Sequence, residues 1–195
     1  MIQRTRNRIL GLALFVALLP LSTWACNIDL CESSKLTWEV NLGSMKHDFV
    51  MTKLRMREDG SVSFSYSMEG YNVLQGDVVI APEAMATARK QNNYFNGGEL
   101  YLTEETTVFV SHLVAGELKK GGARMQPEQN EYFFKQQGKG KVVVQVNGKA
   151  KKIKGVVGVA ENGNRFLIWK DKSMPLILQM DIGWNITLKS IETEC

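Results

Sequence analysis

The stretch Ser61–Met68 reads SVSFSYSM and places a large apolar or aromatic side chain at every second position. This period of two is typical of a strand with one buried face and one exposed face. Asp59-Gly60, directly before it, supplies turn residues, and DFVMTKLRM at 48–56 is a suitable partner strand on the other side of that turn. With KLTWEV at 35–40 as a further strand, the pattern predicts an antiparallel meander over 35–69.

The rest of the chain contains two helical candidates and a long series of strands. APEAMATARKQNNYF at 81–95 has a proline at its start and glycines at its end, and HLVAGELKK at 112–120 follows Ser111, a residue type that caps helices. Asn147-Gly148 is a type I′ hairpin signal. The strand patterns of the C-terminal half are EYFFKQ (131–136), KVVVQV (141–146), KAKKIKGVVGVA (149–160), RFLIWK (165–170), PLILQM (175–180) and WNITLKSI (184–191). The sequence predicts a mainly β fold, namely a curved antiparallel sheet or half-barrel with one or two short helices.

The first 25 residues have the pattern of a secretory signal peptide. Three arginines within the first eight residues precede an apolar run over 9–21, which is short for a bilayer crossing of about 20 residues. Thr23 and Ala25 stand at the −3 and −1 positions of a cut after Ala25. We therefore expect a signal peptide over 1–25, a single β-rich domain over 26–195, and a periplasmic location in a bacterial cell.

Removal of that segment changes the charge balance of the chain. The full sequence has 24 basic and 20 acidic residues, but residues 1–25 contain three arginines and no acid, which leaves 21 basic against 20 acidic residues. A nearly neutral chain gives no general attraction to nucleic acid, so we expect no nucleic-acid partner.

Three cysteines, Cys26, Cys31 and Cys195, leave one unpaired after a single disulfide. Ala25-Cys26 is the end of a lipoprotein-type cleavage site, but Thr23 stands where such signals have leucine, so the pattern favours a cleaved protein without a lipid. The alternative is an outer-membrane lipoprotein anchored at Cys26. Cys31 and Cys195 are the candidates for a disulfide, with Cys26 as the other residue that could bond Cys195.

The residues that could carry catalysis or bind a metal form no recognisable motif. His47 and His112 are the only histidines, and neither has the spacing of a zinc or nucleophile motif. Ser111 and His112 are adjacent in the chain, and adjacent side chains rarely face each other. We therefore expect no catalytic residue, no metal and no cofactor, and a hydrolase built from dispersed residues is the least favoured interpretation.

One cluster of like charge stands out. No acidic residue occurs between Tyr132 and Ala160, while four lysines follow the turn at Asn147, namely Lys149, Lys151, Lys152 and Lys154. Lysines on a hairpin discourage edge-to-edge pairing of sheets. The alternative is contact with an anionic membrane surface or an acidic partner. Specific nucleic-acid recognition is disfavoured because arginine, which binds phosphate in a bidentate way, is absent there.

Large apolar side chains on the predicted strands are candidates for either a packed core or the lining of a cavity. The cavity-lining candidates are Phe64, Tyr66, Met68, Trp169 and Met180. If the sheet curves without closing, its concave side must be covered by a helix or by a ligand, and the sequence leaves both alternatives open.

The order of elements resembles a known class. LTWEV near the start and IWKDKSMPLILQMDIGWNITLKSI at the end are similar to bacterial periplasmic proteins that end in an IW, PLI, L-x-S-I pattern. Those proteins resemble the half-barrels of the lipoprotein-carrier class, in which a curved sheet holds apolar ligand beneath short helices. The resemblance is one of fold and brings no catalytic residues. The alternating strands, the methionine and aromatic content and the lack of a catalytic motif favour a non-enzymatic envelope protein that binds an apolar or amphipathic ligand, such as a lipid, or a protein partner in the concavity of a half-barrel. The alternative is a structural or interaction module with a filled core that acts through its basic hairpin.

Overall fold

The computed structural model describes residues 28–69, 74–169 and 174–195. The predicted signal peptide and Cys26 lie outside these residues. The first strands are β1 (Lys35–Leu42), β2 (Met45–Met56), β3 (Val62–Glu69), β4 (Leu74–Ile80), β5 (Lys90–Gln91), β6 (Gly98–Leu102) and β7 (Glu105–Thr106). They are followed by β8 (Gly122–Met125), β9 (Tyr132–Val146), β10 (Lys149–Val159), β11 (Arg165–Trp169), β12 (Ile177–Asp181) and β13 (Asn185–Glu192). The helices are α1 (Pro82–Thr87) and α2 (His112–Lys120).

Eleven of these strands form one curved sheet in the order β6-β4-β3-β2-β1-β13-β12-β11-β10-β9-β8. Strands β1–β4 form one antiparallel meander and β8–β13 form another. The two meanders join where β1 pairs with β13, with Leu36 opposite Ile191 and Val40 opposite Ile186. Within the described residues the sheet does not close into a barrel. The predicted fold class, a mainly β curved sheet with short helices, is confirmed.

Local sequence explains the hairpin turns. Asn147 and Gly148 have φ values of 47° and 73°, as the predicted type I′ turn requires. The turn does not project freely, because the Asn147 side chain accepts a hydrogen bond from the Thr193 N–H and donates one to the Thr193 carbonyl, both at 2.9 Å. The end of the basic hairpin is thereby fixed against the C-terminal segment.

Two predicted element boundaries were wrong. EYFFKQ and KVVVQV are not separate strands but parts of one strand, β9, because Gly138 at φ 84° accommodates an irregularity in the pairing with β10. The helix predicted over 81–95 ends at Thr87. Beyond it, the Arg89 guanidinium binds both carboxylate oxygens of Glu117 at 2.7 and 2.8 Å, and β5 pairs with β7.

Helix α2 forms as predicted and covers part of the sheet. The Ser111 hydroxyl accepts a hydrogen bond from the Val114 N–H at 3.2 Å, and Gly121 at φ 137° ends the helix. Leu118 packs so closely over Gly158 that a methyl group added there would lie 3.0 Å from a Leu118 methyl carbon. Phe109, in the segment that connects β4 to β8, covers another part of the sheet. Its ring packs near that of Phe64 on β3, with the ring centroids 6.3 Å apart.

Candidate functional site

A cavity of about 270 Å³ remains where neither helix covers the sheet. One side of it is formed by the central strands on either side of the β1–β13 junction. The residues contributed there are Trp38, Val40, Phe49, Ile177, Met180 and Ile186. All six are at most 7% exposed. This side of the cavity is therefore an apolar surface.

Trp38 and Phe49 give this surface its aromatic character. The Trp38 indole N–H donates a buried hydrogen bond to the Ile177 carbonyl at 2.9 Å, so its polar atom is satisfied within the protein. Phe49 packs edge-on against Trp38 with ring centroids 6.0 Å apart. Phe49 also contacts Phe95, at a centroid distance of 4.9 Å. These contacts hold the two aromatic rings in fixed positions at the cavity.

The opposite side is built from loops, and Asn92–Phe95 is the first of them. The Asn92 side chain accepts a hydrogen bond from the Tyr94 N–H at 2.7 Å, and the Asn93 amide donates to the Pro127 carbonyl at 2.6 Å. Phe95 then packs on Phe49 and on Tyr66, with ring centroids 4.8 Å apart in the second pair. Tyr94 lines the cavity yet is 72% exposed, which places it at the mouth.

The mouth also contains Glu128 and Trp184. The Trp184 indole N–H donates to the Glu128 carboxylate oxygen Oε1 at 3.1 Å, which joins the loop before β9 to the loop before β13. Glu128 is the one charged residue among the described residues that line the cavity. The charge of the site therefore lies at its opening, where Tyr94 and Trp184 accompany a single carboxylate. Two uncharged polar residues, Asn93 and the buried Thr107, also line the cavity.

Val108, in the wall, has an unusual backbone conformation. Its φ is 51°, in a region that β-branched residues rarely adopt. The surrounding chain holds it there, because the Val108 carbonyl accepts from the Ile177 N–H at 2.8 Å and the Val110 N–H donates to the Pro175 carbonyl at 2.9 Å. Strained residues of this kind often occur at binding sites.

The five residues predicted to line a cavity do not all meet there. Met68 and Met180 line it. Phe64 and Tyr66 are 2% and 3% exposed and pack beneath Phe109 and Phe95, outside the lining set. Trp169 is half-buried against the core, also away from the cavity.

Sequence reasoning did not identify several residues of the site. Trp38 lies in KLTWEV, whose alternation predicted a buried strand face but no cavity. The loop residues Tyr94 and Glu128 and the turn residue Trp184 carry no periodic signal, because their positions depend on long-range contacts.

The two disulfide candidates are joined. Cys31 and Cys195 form a disulfide with a Cα–Cα distance of 6.0 Å, which links residues 164 positions apart. The Thr193 hydroxyl donates to the Asp29 carbonyl nearby at 3.1 Å. The two ends of the described chain are thus tied together next to the β1–β13 pair.

The lysines of the basic hairpin lie on β10. Lys149, Lys152 and Lys154 are exposed, and Lys151 is half-buried. Lys154 stands directly opposite Lys141 of β9 in the strand register. Like charges in directly opposed positions destabilise a sheet, so this arrangement is unfavourable in the isolated protein.

The two histidines take different positions. His47 is buried on β2 opposite Val40, and His112 is the first residue of α2. The neighbouring Ser111 hydroxyl is engaged in capping the helix. Within the described ranges, no three His, Cys, Asp or Glu side chains come close enough together to hold a metal ion.

Neither a family model, nor a curated protein, nor a solved structure matches this chain. Of the described helices, neither is long and apolar enough to cross a membrane.

Proposed function

We propose that the protein is exported to the cell envelope and binds an apolar or amphipathic ligand in the cavity beside the β1–β13 junction, without catalysing a reaction. The observation that carries this proposal is the cavity itself, which is apolar on its sheet side, has few polar residues and has its one charged group at the mouth. Ligand sites commonly have this arrangement, with apolar walls and a small number of polar groups that orient the ligand.

The volume limits the ligand. Small-molecule sites commonly enclose about 300–1,000 Å³, and the present cavity of about 270 Å³ lies just below that range. A single alkyl chain or one aromatic group suits this volume better than a lipid with several acyl chains. The fixed positions of Trp38 and Phe49 reduce the entropy lost on binding, since those rings are already ordered.

Two features support the envelope location. Residues 1–25 have the signal-peptide pattern, and disulfides such as Cys31–Cys195 persist in oxidising compartments. The resemblance to periplasmic half-barrel proteins agrees with both.

Native mass spectrometry of the protein purified from its own envelope tests the proposal directly. We expect an added mass that organic solvent releases as a small amphiphile. The same protein after solvent extraction should bind the neutral fluorescent probe N-phenyl-1-naphthylamine with a stoichiometry of one.

A variant that fills the cavity provides the control. Val40→Phe adds a ring at the apolar wall and should abolish probe binding, whereas Val143→Phe adds the same ring at a position that is 56% exposed on the basic hairpin. If the folded Val40→Phe variant binds the probe as tightly as wild type does, the probe binds outside the cavity. Wild-type protein that is purified without a bound ligand and does not bind the probe would contradict the proposal.

The register of the basic hairpin favours a second candidate function. Opposed Lys141 and Lys154 would be stabilised by an anionic partner, such as a membrane surface or an acidic protein. Charge reversal at Lys149, Lys151, Lys152 and Lys154 tests this second function. If binding to anionic vesicles is unchanged by that reversal and by added salt, the hairpin is not a binding surface.

A further inference from the structure

The mouth of the cavity has a distinctive chemical composition. Its charged group is one carboxylate, Glu128, and its aromatic groups are Tyr94 and Trp184. No described residue donates a hydrogen bond to the second carboxylate oxygen of Glu128. The rim therefore presents negative charge beside aromatic rings.

This composition matches one kind of ligand head. Aromatic faces attract ammonium groups through the negative charge of their π systems, and a neighbouring carboxylate adds a direct ionic attraction. A carboxylate or sulfate head at the same position would instead be repelled by Glu128. The apolar wall behind the rim accepts the rest of an amphipathic molecule.

Trp184 holds the Glu128 carboxylate in place. Its indole N–H donates to Oε1, which holds the carboxylate at the rim and leaves the other oxygen, Oε2, facing the positive charge of an incoming head group. Tyr94 is 72% exposed, so an approaching head group can reach it.

We propose, resting on the function proposed above, that the ligand is a small amphiphile with one apolar chain and a cationic ammonium head. The chain enters the space beside Trp38 and Phe49, and the head remains at the rim between Glu128 and the aromatic side chains. Because both attractions act at an exposed site, we expect a preference of about tenfold over an anionic head on the same chain.

Isothermal titration calorimetry with three amphiphiles that share an eight-carbon chain tests this assignment. The probes are octyltrimethylammonium, octyl glucoside and octanoate, each kept below its micelle-forming concentration. The solvent-extracted wild-type protein should bind the ammonium compound about tenfold more tightly than octanoate, with the neutral glucoside between them.

Two variants separate charge from shape. Glu128→Gln keeps the size of the side chain and an oxygen that can accept from Trp184, and should weaken octyltrimethylammonium binding about fivefold while octyl glucoside changes by less than about twofold. Glu161→Gln makes the same change in the exposed turn after β10 and should alter neither affinity.

The possible results distinguish the two proposals. If none of the three compounds binds to wild-type protein, the proposed function fails. The preference for a cationic head group is contradicted if all three compounds bind but octanoate binds as tightly as the ammonium compound. It is also contradicted if Glu128→Gln leaves the order of the three affinities unchanged. In either case the proposal of an apolar ligand site stands.

Discussion

The Cys31–Cys195 disulfide has a large and calculable effect on stability. It closes a loop of 164 residues, almost the whole of the expected mature chain. In the chain-entropy description, a cross-link acts by restricting the unfolded state, and a loop of this length corresponds to about 5 kcal/mol at 25 °C. The Cys31→Ser/Cys195→Ser variant should therefore lose about 3–5 kcal/mol of unfolding free energy, the lower figure allowing for residual structure in the unfolded chain.

Urea unfolding followed by tryptophan fluorescence measures this loss. A second quantity should change with it, because an unfolded chain without the cross-link exposes more surface and gives a larger m value. The native fold should survive, since β1 still pairs with β13 and Thr193 still binds the Asp29 carbonyl.

Cys26→Ser provides the matched control. It removes one cysteine but leaves the Cys31–Cys195 bond, so it should have the wild-type midpoint and m value. A double variant that loses less than about 1 kcal/mol with an unchanged m value would refute the reasoning, because the disulfide would then not restrict the unfolded state.

Three further substitutions test individual features. Val108→Gly removes buried side-chain area but also relieves backbone strain, so it should cost less than about 1.5 kcal/mol in urea unfolding, against about 3 kcal/mol for Val110→Gly. Gly76→Ala places a methyl group against a backbone carbonyl of β6 and should cost about 2–3 kcal/mol, with faster hydrogen exchange along β6. The hydrogen bond from Arg89 lowers the pKa of Glu117 in the folded protein. The ionised carboxylate therefore stabilises the fold fully above the pKa of the unfolded chain, which is about 4.3. This stabilisation is lost as the pH falls through the lower pKa of the folded protein. Glu117→Gln should therefore cost about 0.5–1 kcal/mol at pH 7, and the difference from wild type should shrink as the pH falls below the unfolded pKa and vanish once Glu117 is protonated in the folded protein. A pH-independent difference would contradict the ion-pair explanation.

The sequence was sufficient for the features that depend on local pattern. Alternation in SVSFSYSM located β3 and its partner β2, and Ser111 and Gly121 marked the ends of α2. Asn147-Gly148 identified a turn that could be assigned without any tertiary information. In each case the chemistry of a few adjacent residues determines the backbone conformation.

Features that depend on distant contacts were not predictable in this way. Helix propensity continues beyond Thr87, yet the chain leaves the helix, where Arg89 binds Glu117, which lies 28 positions later. The parallel pairing of β4 with β6 likewise requires a crossover connection, which the periodicity of the sequence does not predict.

The candidate site shows the same division. An alternating strand identifies a buried face, but whether a neighbouring loop fills the space above it depends on where that loop is held. Phe95 covers Tyr66 and leaves Trp38 at a cavity, and the position of Phe95 follows from hydrogen bonds such as that of Asn93 to Pro127. Of the five cavity-lining candidates, the two methionines line the cavity.

The pairing of β1 with β13 also limits how early the sheet can be completed as the chain folds. The first strand of the sheet has the last strand as its neighbour, so a chain that emerges from its N-terminal end leaves one edge of β1 unpaired until residue 185 has followed. An open strand edge of this kind is a site for pairing with other chains. Between the arrival of β1 and the arrival of β13, this edge of β1 is therefore open to pairing with other chains, and protection from aggregation is needed during that interval.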